Sequence, residues 1–123
     1  MQTGIDIQHV DAECIERITQ STRIGKIFTA RELEYCSGKA NETMMGLYCA
    51  KEAFFKAVGT GIKVSQLHDV EVRHEKLGAP YLLLSPAIIH EYNLNTAKIA
   101  LSISHTKSVA VAVVIIAKLD RLI

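Results

Sequence analysis

The sequence contains no tryptophan, and its aromatic residues amount to only 6% of the chain. The chain also has no large excess of positive or negative charge, because 14 basic and 13 acidic residues leave a net charge of +1. Proteins that bind nucleic acids usually present a basic face together with aromatic side chains on which bases stack. Both shortages argue against a nucleic-acid partner.

Long apolar segments and paired cysteine motifs are missing as well. The longest apolar run, Val109 to Ala117, is too short to span a bilayer, and no basic segment followed by an apolar run marks a signal peptide. The three cysteines show no CxxC spacing, which favours reduced thiols that pack in the interior. We therefore expect a cytoplasmic protein with no membrane partner.

The residues that are present are typical of one globular domain. The 123 residues are 49% hydrophobic and 22% charged, enough for a single core across residues 1–123. The predicted elements run in the order strand, helices and then several strands, which indicates an α+β fold. We expect a mainly antiparallel sheet that packs on one long helix and several shorter helices.

Periodicity and capping residues predict the elements of the first half. They are a strand over residues 2–8, a short helix from the N-cap Asp11 to Thr19, a second short helix opened by the capping box Thr29–Glu32, and a long helix from the N-cap Asn41 to Val58. Gly59 is placed to end the long helix with a positive φ.

Alternation and turn residues predict the second half. Its elements are a hairpin of strands 69–73 and 81–84, the second of them buried, a short helix opened by Ser85-Pro86, and strands 98–104 and 109–117 joined by a tight turn at residues 105–107. The last strand is apolar on both faces, which is typical of a central strand.

Two carboxylates stand in apolar surroundings. Glu52 lies on a largely apolar face of the long helix, with Lys56 one turn later, and Asp6 is flanked by two isoleucines in the first strand. A desolvated carboxylate needs a partner that keeps it charged. Two simpler interpretations remain: an ion pair between Glu52 and Lys56 worth a few tenths of a kcal/mol, and an Asp6 that faces solvent.

Three separated motifs point beyond these interpretations. They are Gly4-Ile5-Asp6, the segment from Lys51 to Gly61, and Ser102 to Thr106. In this order and spacing they resemble the holo-[acyl-carrier-protein] synthases, the short class of 4′-phosphopantetheinyl transferases. Phe28-Thr29 with Glu32, and Gly78 to Tyr81, extend the resemblance over essentially the whole chain.

The resemblance implies a reaction and a metal site. The phosphopantetheine arm of the substrate coenzyme A is transferred to a serine of an apo acyl carrier protein in fatty-acid or polyketide biosynthesis, and adenosine 3′,5′-bisphosphate is released. Asp6 and Glu52 would be the catalytic ligands of Mg²⁺, with Mn²⁺ as the alternative metal. Lys56 would be catalytic too, because it matches a lysine that approaches the diphosphate.

The resemblance also implies binding residues and an assembly. Coenzyme A would be bound by Lys56, Gly59, Thr60, Gly61, Pro86, Ser104, His105 and Thr106. The acyl carrier protein would be bound by Arg17, with Arg23 and Lys26 as weaker candidates. Family members of this length are typically homotrimers whose active sites are shared between adjacent subunits.

The chain departs from the family pattern where basic residues are expected. Leu47 stands where the family commonly has a phosphate-binding arginine, Ala79 replaces a turn lysine, and the first helix carries Asp11, Glu13 and Glu16. Two alternatives to an active transferase therefore stay open. One is a catalytically weak paralogue that serves as a carrier-protein-binding or structural subunit, and the other is an unrelated α+β binding module.

Overall fold

The computed structural model describes residues 1–118, and residues 119–123 of the predicted domain lie outside the described part. Its strands and helices follow one another in the predicted α+β order. The strands are β1 (Gln2–His9), β2 (Val70–His74), β3 (Pro80–Leu84), β4 (Ala97–His105) and β5 (Val109–Lys118). The helices are α1 (Ala12–Thr19), α2 (Ile24–Ile27), α3 (Ala30–Cys36), α4 (Asn41–Val58) and α5 (Pro86–Glu91), with a 3₁₀ helix over Val64–Asp69.

The long helix α4 forms the centre of the core. Eleven of its 18 residues are buried, including Phe54 and Phe55, and it packs against β1, β5 and β4. Gly59 ends the helix as predicted, with φ 89° and a backbone N–H that reaches the Phe55 and Lys56 carbonyls. The predicted N-cap Asn41 is wrong, because Ala40 occupies that position and no side chain caps this end.

The strands form two separate antiparallel sheets rather than one. The larger sheet has the order β1-β5-β4, so β5 is central as predicted, and the smaller sheet pairs β2 with β3. The prediction that β3 is buried is wrong, since its residues are half-buried and Leu83 is exposed. The four-residue helix α2 and the 3₁₀ helix were not predicted.

The predicted caps of α1 and α3 and the predicted free thiols fit the structure. Asp11 caps α1 by accepting from the Cys14 N–H, and Thr29 with Glu32 forms the predicted capping box of α3. The cysteines are all free, with Cys36 and Cys49 buried. No helix within residues 1–118 has both the length and the apolar character that a bilayer crossing requires.

A buried ion pair fastens α4 to α3 and to the start of β2. Lys51 Nζ lies 2.8 Å from Glu32 Oε1, and both side chains have no exposed surface. Lys51 also donates to the Leu67 and Val70 carbonyls, while Glu32 Oε2 accepts from the Val72 N–H. Because the polar atoms of the pair are bonded, the two charges can stay in the core.

On its other side, α4 touches the backbone of β1 at Gly4. A Cβ atom at Gly4 would overlap the Ala53 carbonyl oxygen and would lie 2.6 Å from the Ala57 nitrogen. Neither partner can move without displacing the helix backbone. Glycine is therefore required here for packing, and the requirement fixes how closely β1 approaches α4.

We expect the Gly4→Ala variant to lose at least about 3 kcal/mol of unfolding free energy, because the new methyl group overlaps helix backbone. Urea denaturation followed by circular dichroism measures this loss. Gly25→Ala is the matched control, since a Cβ there meets nothing within 4 Å and Gly25 lies in α2. It should leave the stability unchanged or raise it by about 0.5–1 kcal/mol. Equal stability of the two variants would contradict the packing argument.

Candidate active site

Asp6 and Glu52 approach each other between β1 and α4. Both carboxylates are buried, with 4% and 2% of their surface exposed. Asp6 shares the inner face of β1 with Gly4, while Ile5 and Ile7 point outward. The alternative that Asp6 faces solvent is therefore wrong, and the two carboxylates that the motifs singled out do meet.

A glutamine joins the two carboxylates. Gln8 Nε2 donates to Asp6 Oδ2 at 3.0 Å and to Glu52 Oε2 at 2.9 Å. Gln8 is a site residue that was not predicted from the sequence. Strand alternation already placed it on the same face as Asp6, but its contact with Glu52 depends on the tertiary packing of β1 on α4.

Lys56 adds a positive charge beside the two carboxylates. Its Nζ lies 2.8 Å from Asp6 Oδ1, and its side chain is 46% exposed. The interpretation that Lys56 forms a simple helical ion pair with Glu52 is wrong, because its salt-bridge partner is Asp6. Asp6 raises the pKa of Lys56 through this hydrogen bond, so the ammonium group stays charged beside the carboxylates.

Burial dominates the electrostatics of Glu52. Desolvation is the main cause that raises the pKa of its carboxyl group to about 7; the Tyr48 hydroxyl acts to lower this pKa, and the nearby Asp6 carboxylate acts to raise it. Burial also raises the pKa of the Tyr48 hydroxyl well above its usual range. The fully charged carboxylate pair is thus unfavourable with Lys56 alone, which leaves room for a second cation.

Among residues 1–118, no three His, Cys, Asp or Glu side chains converge on a common point. Asp6 and Glu52 therefore provide two carboxylates rather than a closed cage of the kind that holds structural zinc. Mg²⁺ commonly takes one or two carboxylates and fills its other positions with water and substrate phosphates. The buried carboxylate pair fits such an ion.

Glu52 and Gln8 line a cavity of about 320 Å³. We call it the carboxylate cavity. Arg17 and Arg23 also line it, on the side formed by α1 and the start of α2. Its apolar wall is formed by Ile18, Ile27, Met45, Ile62, Val64 and Leu67. Lys26 lies on the adjoining surface beside Val64 rather than in the cavity.

His105 lies in a second cavity of about 240 Å³, which we call the histidine cavity. Lys39, His74 and Leu47 also line it, so the position of the missing arginine faces a region that retains basic groups. The His74 ring stacks on Tyr35 with 4.0 Å between ring centroids. The carboxylate and histidine cavities are lined by different residues, so the structure does not bring His105 to Asp6 and Glu52 within one chain.

The other predicted coenzyme A residues lie outside both cavities. Gly59, Thr60 and Gly61 form the turn after α4, and both glycines have positive φ. Ser104 is exposed on β4, and Pro86 is exposed at the start of α5. Thr106 Oγ1 accepts from the Ser108 and Val109 N–H groups, which gives it a structural part in the β4–β5 turn.

The chain matches the family model for the 4′-phosphopantetheinyl transferase superfamily over residues 2–114. It is 36% identical to the holo-[acyl-carrier-protein] synthase of Fusobacterium nucleatum over 121 residues, covering 94% of this chain and 99% of the relative. It is 39% identical to the synthase of Geotalea daltonii over 126 residues, covering 94% and 97% of the two chains.

Solved structures agree with the sequence matches. The Helicobacter pylori holo-[acyl-carrier-protein] synthase in complex with coenzyme A is 27% identical, with a TM-score of 0.79 over 94% of this chain and 99% of that one. The Bacillus anthracis synthase is 34% identical, with a TM-score of 0.76 over 95% and 96% of the chains. These matches exclude an unrelated α+β binding module. The chain belongs to the 4′-phosphopantetheinyl transferase superfamily.

Proposed function

We propose that this protein transfers the 4′-phosphopantetheine group of coenzyme A to a serine of an apo acyl carrier protein, releasing adenosine 3′,5′-bisphosphate. The observation that carries the proposal is the pair of buried carboxylates, Asp6 and Glu52, which both accept from the Gln8 amide beside a cavity that Arg17 and Arg23 line. The names of the relatives support the same reaction. Its setting would be fatty-acid or polyketide biosynthesis in the cytoplasm.

Asp6 and Glu52 would hold Mg²⁺, or Mn²⁺ as the alternative metal. When bound, such an ion polarises phosphate oxygens and neutralises charge that develops on them. Lys56 lies next to Asp6 with nearly half of its side chain exposed, so its ammonium group is accessible to a diphosphate bound beside Asp6. There it stabilises the leaving phosphate, because charged donors placed where negative charge develops lower the barrier.

The histidine cavity would bind the nucleotide end of coenzyme A. His105, His74 and Lys39 supply cationic or hydrogen-bonding groups, and the flat Tyr35–His74 stack offers an aromatic surface beside them. The turn Gly59-Thr60-Gly61, with Ser104, Thr106 and Pro86, would contact coenzyme A outside the cavity. Since Leu47 contributes no charge, phosphate binding there would depend on Lys39 and the histidines.

The open face of the larger sheet supports self-association. Ile5 and Ile7 are 62% and 66% exposed, and their cross-strand neighbours on β5 are Val113 and Val111. These β-branched residues, exposed on β1 and half-buried on β5, form an apolar surface of the kind that subunit interfaces bury. We propose that copies of this chain cover it in a homotrimer, which would also bring the histidine cavity of one subunit to the carboxylate cavity of the next.

A catalytically weak paralogue is the second candidate. The losses at Leu47 and Ala79, together with the acidic residues of α1, favour it. Such a subunit would bind carrier protein or coenzyme A without turnover.

Intact-mass spectrometry distinguishes the active transferase from the catalytically weak paralogue. Incubation of an apo acyl carrier protein with this protein, coenzyme A and Mg²⁺ should add one phosphopantetheine group, and EDTA should prevent the addition. Coenzyme A binding without any mass gain across several carrier proteins would favour the paralogue.

Replacing Glu52 with glutamine tests the metal site. The Glu52→Gln variant should fold normally and lose phosphopantetheine transfer by at least about 1,000-fold, because one of two carboxylate ligands becomes neutral. Initial rates from intact-mass spectrometry measure the loss. Glu75→Gln, in the exposed turn between β2 and β3, is the matched control and should keep full activity. A rate like that of the wild type in Glu52→Gln would refute the assignment.

Reversing a charge on α1 tests carrier binding. Arg17→Glu should raise the KM for the acyl carrier protein about tenfold or more, while the affinity for coenzyme A stays the same, because acidic partners depend on complementary charge. Steady-state kinetics at varied carrier concentration and calorimetry with coenzyme A separate the two effects. Arg31→Glu on the exposed start of α3 is the control. If both variants behave alike, Arg17 has no specific role in carrier binding.

Substitution of lysine for the exposed isoleucines of the open sheet face tests the proposed trimer. Ile5→Lys combined with Ile7→Lys should convert trimers into monomers, because a buried unpaired ammonium group is unfavourable at an interface. Light scattering coupled to size-exclusion chromatography gives the mass in solution. Leu77→Lys is the control, since Leu77 is fully exposed in the β2–β3 turn. A wild-type mass of one chain, 13.6 kDa, would exclude the trimer.

A further inference from the structure

Gln8 occupies an unusual place between two acidic groups. Its single Nε2 atom donates to both buried carboxylates, at 3.0 Å from Asp6 Oδ2 and 2.9 Å from Glu52 Oε2. The side chain is half-buried and lines the carboxylate cavity. The amide NH₂ group carries two donor hydrogens, so one group satisfies one oxygen of each acid at the same time.

In this position the amide does part of what a cation would do. It places two partly positive hydrogens between two carboxylates that would otherwise repel each other at low solvent exposure. A bound cation cannot share that place with the NH₂ group, because a metal ion attracts oxygen lone pairs and repels N–H donors. The amide must therefore either leave the cavity or reverse when the cation binds.

Reversal of the amide needs little movement. A half-turn about the bond that carries the terminal amide exchanges the oxygen and the nitrogen, which have nearly the same shape. Gln8 Oε1 would then take the position of Nε2, about 3 Å from one oxygen of each carboxylate. Adjacent ligand oxygens of octahedral Mg²⁺ also lie about 3 Å apart, since each is about 2.1 Å from the ion at right angles to its neighbour.

We propose that Gln8 is the third ligand that this chain supplies to the divalent cation, and that its amide reverses between the metal-free and metal-bound states. The inference rests on the proposed metal site at Asp6 and Glu52 and adds to it a neutral hard oxygen. Without metal, the amide nitrogen holds the two carboxylates together, so the site is already assembled when the ion arrives. With metal, the amide oxygen binds the ion.

Metal binding without turnover tests this role. Mn²⁺ alone is titrated into the whole protein, with free Mn²⁺ read by electron paramagnetic resonance, for the wild type, Gln8→Leu and Gln8→Glu. Gln8→Leu keeps the bulk of the side chain but has no oxygen, so its affinity should fall at least about tenfold. Gln8→Glu keeps an oxygen at the same reach, so it should bind Mn²⁺ at least as tightly as the wild type.

The matched control is Gln66→Leu. Gln66 also donates its amide to a carboxylate, at 3.1 and 3.0 Å from the two oxygens of Glu91, but it lies outside the carboxylate cavity. Its loss should leave the Mn²⁺ affinity unchanged.

Thermal unfolding of the metal-free proteins supplies a second expectation. Gln8→Glu should unfold at a lower temperature than the wild type, and Mg²⁺ should raise the unfolding temperature of Gln8→Glu more than that of the wild type.

Nuclear magnetic resonance reads the reversal itself. In ¹⁵N-labelled wild type, Mg²⁺ should shift the Gln8 side-chain NH₂ signals strongly, because their hydrogen bonds to both carboxylates are lost, and should leave those of Gln66 in place. If the wild type binds Mn²⁺ and Gln8→Leu binds it with equal affinity, Gln8 is not a ligand, and the metal site at Asp6 and Glu52 is unaffected by that result. Failure of the wild type itself to bind Mn²⁺ would overturn both the metal site and this inference.

Discussion

The close contact between β1 and α4 at Gly4 is the constraint on which the site depends. The strand backbone lies against Ala53 and Ala57, two of the smallest side chains of the helix, and a Cβ atom at Gly4 would prevent this approach. Side chains two residues apart in a strand share a face, so Asp6 follows Gly4 toward the helix. Only at this separation can Asp6 reach Lys56 at 2.8 Å and share a donor with Glu52.

The opposite side of α4 is fixed by charge instead of by close packing. Lys51 and Glu52 are consecutive, about 100° apart around the helix, and so face different partners. Lys51 binds Glu32 and the Leu67 and Val70 carbonyls, and burial lowers its pKa. Leu67 also lines the carboxylate cavity. The lysine of the motif therefore fixes part of the wall of the cavity, while the glutamate beside it faces Gln8 and the Asp6 side.

Local signals in the sequence predicted much of the fold. The capping box of α3, the end of α4 at Gly59 and the central position of β5 all depend on neighbouring residues or on the hydrophobic pattern of a single segment. The four-residue α2 and the 3₁₀ helix are too short for a periodic pattern, so they were missed. The separation of the strands into two sheets depends on long-range pairing, which no local pattern contains.

The same distinction applies to the site. Motif spacing selected Asp6, Glu52 and Lys56. The simpler interpretation paired Lys56 with Glu52 instead of Asp6, because helical neighbours are visible in a sequence and a residue 50 positions away is not. Gln8 was missed for a related reason. Its alternation with Asp6 was apparent, yet its significance comes from Glu52, which is 44 residues away.

The energetics of the carboxylate pair bear on whether the chain is an active transferase or a binding subunit. Two buried acids with one half-exposed lysine destabilise the metal-free protein, as the raised pKa of Glu52 indicates. An apolar or amide pair in the same place would avoid that cost, and a subunit with no catalytic role would lose nothing by such a change. The positions where the family pattern has basic residues and this chain does not, Leu47 and Ala79, are away from the carboxylate pair. A loss of charge there would affect the affinity for coenzyme A. The buried pair of carboxylates is retained although it costs stability, which fits the proposed cation site of an active transferase better than a subunit with no catalytic role.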